Sequence, residues 1–149
     1  MSEKGEQLIS KLNELGITPE HMVVWLGIYS NFEEPKWPLS QKGFNDLVAA
    51  TAGYVEDSYE EEDDKPVEKF TLEQAQELGE IKFIESGGVH HDGGPIWSVF
   101  YFKNFDIYLA AEATYSSWDS EYFSKTWVEV KEKEVTITQW LDPKGRALA

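Results

Sequence analysis

Apolar positions follow two rhythms along this chain. Up to about residue 53 they recur at helical spacing, and from about residue 81 they alternate or run in short blocks bounded by glycine and polar residues. Leu8, Ile9, Leu12 and Leu15 predict a helix over 3–15, with Gly16 as the residue that ends it. Thr18 offers an N-cap and Pro19 a first helical position for a second helix, about 19–30. Met22, Val23, Trp25, Leu26, Ile28 and Tyr29 make that helix apolar around most of its circumference, as expected of one buried between layers. Two prolines mark 31–39 as a loop. Ser40 then caps a third helix, about 41–53, with Phe44, Leu47, Val48 and Thr51 inward and Gly53 at its end.

A short helix over 72–78 is signalled by Thr71 with Gln74 three residues on, a capping box, and by Gly79 after it. Ile81, Phe83 and Ile84 suggest a strand over 81–86, followed by a glycine-rich loop to residue 95. The strongest signal is a hairpin over 95–116, PIWSVFYFKNFDIYLAAEATYS, turning at Lys103–Asp106. In its first strand Trp97, Val99 and Tyr101 share one face and Ile96, Ser98, Phe100 and Phe102 the other. Neither set is polar, so this strand is expected inside the sheet with both faces covered. In the second strand Ile107, Leu109, Ala111, Ala113 and Tyr115 oppose the mixed set Tyr108, Ala110, Glu112, Thr114 and Ser116. Further strands are expected at 122–130 and 135–141, before Asp142-Pro143-Lys144-Gly145 and a frayed tail over 143–149.

Sequential strands with short connections pair antiparallel. The expected fold is α+β: an antiparallel β-meander of about four strands with N-terminal helices packed on one face. The expected division is a helical unit (1–55), an acidic linker (56–65), and a short helix plus meander (66–142).

Composition narrows the function more than the fold. The chain has 149 residues, 41% hydrophobic and 14% aromatic, enough for a real core. There is no cysteine, which excludes disulfides, zinc–thiolate sites and thiol catalysis. No secretory signal or membrane-spanning run is evident, so a cytoplasmic protein that does not enter membranes is expected. The net charge is −15, and residues 56–80 hold 11 acids against two lysines, a balance of −9. That field argues against direct nucleic-acid binding and for a basic protein partner. Scarce apolar residues in 56–65 predict a mobile surface linker.

Chemical candidates are few. Gly87–Gly94 holds His90, His91 and Asp92, which suit a divalent metal or proton transfer, but adjacent histidines on an extended chain point apart. A flexible hairpin loop is the plainer reading. The run 56–64 lacks the central glycine of an EF-hand. Asp106, Glu112, Asp119 and Glu121 offer carboxylates, with nothing singling out a pair for glycoside chemistry. Ser116–Glu121 reads as a turn. No cofactor, metal ligand or catalytic residue is expected. Tyr108, Trp118, Tyr122 and Trp140 are candidates for an exposed aromatic patch.

The string FKNFDIYLAAEATYSSWDSEYF, with Tyr101 just before it and VTITQW after it, carries a pattern Y-F-K-x-x-D-x-Y … Y-S-S-x-D that rests on Tyr101, Phe102, Lys103, Asp106, Tyr108, Tyr115, Ser116, Ser117 and Asp119. It resembles a hairpin found in small phage-encoded accessory proteins. The resemblance covers about the last third of the chain and brings no activity with it. It implies a viral or mobile-element origin, and hence a host cytoplasm.

The expected function is a non-enzymatic acidic interaction module, in one form an inhibitor of a host nucleic-acid-binding protein by charge mimicry. Its partner-binding residues would be Glu60, Glu61, Glu62, Asp63 and Asp64 together with Tyr108, Trp118 and Tyr122. The alternatives are a small-molecule or carbohydrate-binding domain using an aromatic sheet face, and a hydrolase-type enzyme using His90, His91 or Asp92.

Overall fold

A computed structural model describes residues 2–27, 30–52, 70–88, 95–116, 120–133 and 138–146. Helix starts lie where side-chain acceptors meet the orphan amides of a first turn. Helix α1 (Glu3–Leu15) is capped by Ser2 and ended by Gly16, whose φ of 76° is left-handed. In α2 (Pro19–Leu26) the Thr18 hydroxyl accepts the His21 N–H at 3.3 Å, while His21 Nδ1 accepts the Thr18 N–H at 3.1 Å. Helix α3 (Gln41–Thr51) starts at Ser40, which accepts from the Gly43 N–H. Helix α4 (Leu72–Gln76) has the expected Thr71–Gln74 capping box, but the chain passes into a turn before Gly79, so the helix is shorter than 72–78.

Strands β1 (Ile81–Gly88), β2 (Pro95–Phe102), β3 (Ile107–Ser116) and β4 (Ser120–Phe123) run antiparallel in the order β1-β2-β3-β4, and β5 (Val128–Val130) also pairs with β3. The fold is α+β, as the pattern predicts. One turn of the hairpin requires a left-handed residue, and Asp106 takes it at φ 52°. Asp is among the few residues with a side chain that adopts this conformation readily.

The helices cover one face of the sheet. Ile96, Phe100 and Phe102 of β2 and Ile107, Leu109 and Ala111 of β3 are buried on it. Most of them join one core cluster with Leu8 and Leu12 of α1, Met22, Val23 and Trp25 of α2, and Phe44 and Leu47 of α3. Ring edges meet ring faces through this layer: Phe83 on Phe100 at 5.6 Å and Phe44 on Phe70 at 5.8 Å.

The expected single strand over 122–130 is interrupted. Ala113 pairs with Phe123 and Ala110 with Val128, so four residues (124–127) face two (111 and 112) across the ladder. The two-residue excess turns Trp127 into the core, where it is 2% exposed. Its indole N–H donates to the Ile17 carbonyl at 3.2 Å, and its ring meets Phe100 and Phe102 edge-on. The edge strand is thereby fastened to the α1–α2 junction. Glu129 fastens β5 to α1 in the same way. It accepts the Ser2 N–H at 2.9 Å and the Ser2 hydroxyl, bonds that hold its carboxyl below the usual range.

Two further expectations are corrected. The strand over 135–141 is not seen at 138–140, and Trp140 is 75% exposed; residues 134–137 lie outside the described residues. The second concerns β2. It is interior in strand order, but its second face is not covered by any described helix, and Trp97 on that face is 36% exposed.

Candidate functional site

The uncovered face of the sheet is the candidate site. Alternation along each strand sends one residue set to the helices and the other to this face. On it Trp97 and Val99 of β2, Tyr108 and Ala110 of β3, Ile84 of β1 and Val130 of β5 form the floor of a groove of about 590 Å³. Glu85, Glu112, Glu132 and Lys131 complete its lining, three carboxylates to one ammonium.

Trp97 is held by its neighbour across the strand pair. Gly87 pairs with Trp97, and a Cβ at Gly87 would lie 2.6 Å from Trp97 Cζ2. Only a residue without a side chain lets the indole lie down over β1. The glycine that reads in sequence as loop material is therefore part of the groove's geometry. The floor's apolar residues lie across strands rather than along one, which is why no linear motif announces them.

At the hairpin end, Tyr101 and Tyr108 are cross-strand partners with ring centroids 4.7 Å apart. The Tyr101 hydroxyl donates to Asp106 at 2.7 Å. That bond favours the neutral phenol and, with burial and the Asp106 charge, raises the Tyr101 pKa above its ordinary value. Asp106 thus has a structural partner in the turn.

The partner-binding residues expected from sequence are distributed unevenly. Tyr108 lies in the groove. Tyr122 contributes backbone pairing with Thr114 in β4. Glu60, Glu61, Glu62, Asp63, Asp64 and Trp118 lie outside the described residues, as do His90, His91, Asp92 and Asp119. Glu112, considered as a catalytic carboxylate, is a rim residue of the groove, and Glu121 pairs through its backbone with Tyr115. Trp140 is exposed but does not line the groove.

Sequence reasoning passed over Trp97, Val99, Ile84 and Val130. The shared apolar face of Trp97, Val99 and Tyr101 is the available signal, and periodicity alone does not distinguish it from contact with a second layer. Among the described residues no group of three or more His, Asp or Glu side chains is placed to hold a metal ion, and no helix is long and apolar enough to cross a membrane. No family model, curated protein or solved structure matches this chain.

Proposed function

We propose that the chain is a non-enzymatic binding module that seats a basic, amphipathic protein segment on the open face of its sheet. The groove carries this reading: an apolar floor with two aromatic rings, inside a rim of Glu85, Glu112 and Glu132 with Lys131. The two parts have separate jobs. Burying Trp97 and Tyr108 under a partner supplies affinity, because large aromatics in desolvated pockets dominate binding energy. The rim, within a chain of net charge −15, supplies attraction at a distance and selects against acidic partners. The acidic run at 56–64 adds to the same field. Resemblance to phage-encoded proteins gives the proposal a specific form, in which the segment belongs to a host nucleic-acid-binding protein whose basic surface is occupied.

The test uses a fluorescent amphipathic peptide of leucine and lysine with a helical repeat. Its anisotropy is followed at about 0.05 M and about 0.5 M salt, between which the Debye length falls several-fold. Binding should weaken with salt and with the triple substitution Glu85→Gln, Glu112→Gln, Glu132→Gln. Trp97→Ala should weaken it at both salt levels. Binding that ignores salt and the triple substitution while needing Trp97 would favour the alternative of a carbohydrate or small apolar ligand. Binding that ignores Trp97 would remove the groove from the proposal.

A further inference from the structure

The Trp97 end of the groove has a chemistry of its own, set by strand register. Glu112 is the direct cross-strand partner of Trp97 on β3, and Gly87 is its partner on β1. A bulge in β1 brings in a second carboxylate. Phe83 pairs with Phe100 and Glu85 with Val99, so the extra residue is Ile84. In an unshifted register Ile84 would oppose Val99 and Glu85 would turn toward the helices; the bulge re-aims Glu85 to the open face, where it lines the groove. Glu85 thereby becomes the diagonal neighbour of Trp97. Directly paired Cβ atoms lie about 4.5–5.5 Å apart and diagonal neighbours about 7–8 Å, both within reach of a glutamate side chain.

The indole presents its flat side to this pair. A Cβ at Gly87 would lie 2.6 Å from Cζ2 and 3.1 Å from both Cε2 and Cη2, near-equal distances that put one ring face against β1. The opposite face turns outward, and Trp97 stays partly exposed. No cation is committed here. The four ion pairs among the described residues involve neither Glu85 nor Glu112. Lys82 and Lys131 belong to the tyrosine end of the face: Lys82 pairs with Tyr101, and Lys131 follows Val130, which pairs with Tyr108. Trp97 and Tyr101 are four residues apart, about 13 Å along the strand. Lys125 follows Ser124, whose N–H donates to the Glu112 carbonyl at 2.8 Å, but it does not line the groove.

We infer that Trp97, Glu85 and Glu112 form an arginine subsite, in which a partner's guanidinium lies flat on the outer ring face and donates to both carboxylates. The inference rests on the proposed docking of a basic segment and names the side chain that anchors it. Shape selects the guanidinium. Its plane stacks on the indole, and its N–H donors spread in that plane toward carboxylates on the β1 and β3 sides. A lysine ammonium supplies the charge without a plane and holds its hydration more strongly. A quaternary ammonium suits the ring but has no N–H to donate. Both carboxylates are exposed, and exposed ion pairs alone give little affinity, so the ring must supply the discrimination.

The probes are the leucine–lysine peptide and its leucine–arginine counterpart of the same repeat. Affinities are read by anisotropy at about 0.5 M salt, where general attraction is screened. The arginine peptide should bind the full chain at least about threefold more tightly. Trp97→Leu, which keeps the floor apolar but removes the ring, should bring the two peptides within about twofold of each other. The δ-CH₂ protons of isotope-labelled arginine should move upfield on binding, the ring-current signature of stacking, and should not do so with Trp97→Leu. If that variant folds poorly, the double substitution Glu85→Gln, Glu112→Gln decides: it should weaken the arginine peptide severalfold more than the lysine peptide. Equal binding of the two peptides, an arginine preference that survives Trp97→Leu, or no upfield shift would overturn the subsite and leave the docking surface standing. Failure of both peptides to bind would remove the two together.

Discussion

Two tryptophans separate the folding role of the sheet from its proposed binding role. Trp127 is 2% exposed, touches Phe100 and Phe102 edge-on, and donates to the Ile17 carbonyl. Replacing it with alanine removes buried surface, opens a cavity and leaves that carbonyl without its partner. Core Trp→Ala changes cost about 3–5 kcal/mol, and the lost hydrogen bond places Trp127→Ala at the upper end. Trp97 is 36% exposed and lies on the open groove. Its removal uncovers surface to water without enclosing a void. Scaling the transfer free energy of a large side chain to its buried two-thirds gives about 1–2 kcal/mol. Urea unfolding of both variants, with m compared to the parent protein, measures the difference. Trp127→Ala should lose at least about 2 kcal/mol more than Trp97→Ala. Equal losses, or a larger loss for Trp97→Ala, would refute the assignment of the two faces.

The remaining predictions concern smaller parts. Gly87→Ala should push the Trp97 ring off β1, red-shifting its emission and weakening peptide binding while the far-ultraviolet circular dichroism stays unchanged. Tyr101 should titrate above an ordinary tyrosine in a spectrophotometric titration, and Asp106→Asn, which suits the left-handed turn, should bring it down. Because the folded phenol holds its proton more tightly than the unfolded one, its stabilising contribution is complete below about pH 10, the unfolded value. That contribution is lost as pH rises through the folded value, so alkaline unfolding of Asp106→Asn should depend less on pH. Deleting residues 59–64 should change thermal stability by no more than about 1 kcal/mol; a larger loss in calorimetry would contradict the reading of that run as a solvated linker.

Local chemistry was the most legible part of the sequence. Thr18, Ser40 and Thr71 act as caps because their oxygens sit just before an apolar helical run, and Gly16 ends α1 in the conformation that favours glycine. The hairpin was legible for a similar reason: both strands have strong β-formers and the turn between them is short. What failed depended on partners distant in sequence. The interruption at 124–127 is a mismatch in length between two strands, visible only once β3 lies beside them. The polar run Ser124-Lys125-Thr126 was its one trace. The groove failed for a different reason. An apolar set such as Trp97, Val99 and Tyr101 looks the same whether a helix layer or a binding partner covers it. Periodicity reports that a face avoids water and is silent about what it touches.

The central claim is that the uncovered sheet face is a docking surface. Its most direct test is an NMR titration of the full chain with the leucine–lysine peptide, following every assigned amide. The account predicts saturable shifts at Trp97, Val99, Tyr108, Ala110 and Val130, little change in α1 and α3, and loss of these shifts in Trp97→Ala. Shifts confined to residues 56–64, or unchanged by Trp97→Ala, would contradict it and place the binding in the acidic run alone.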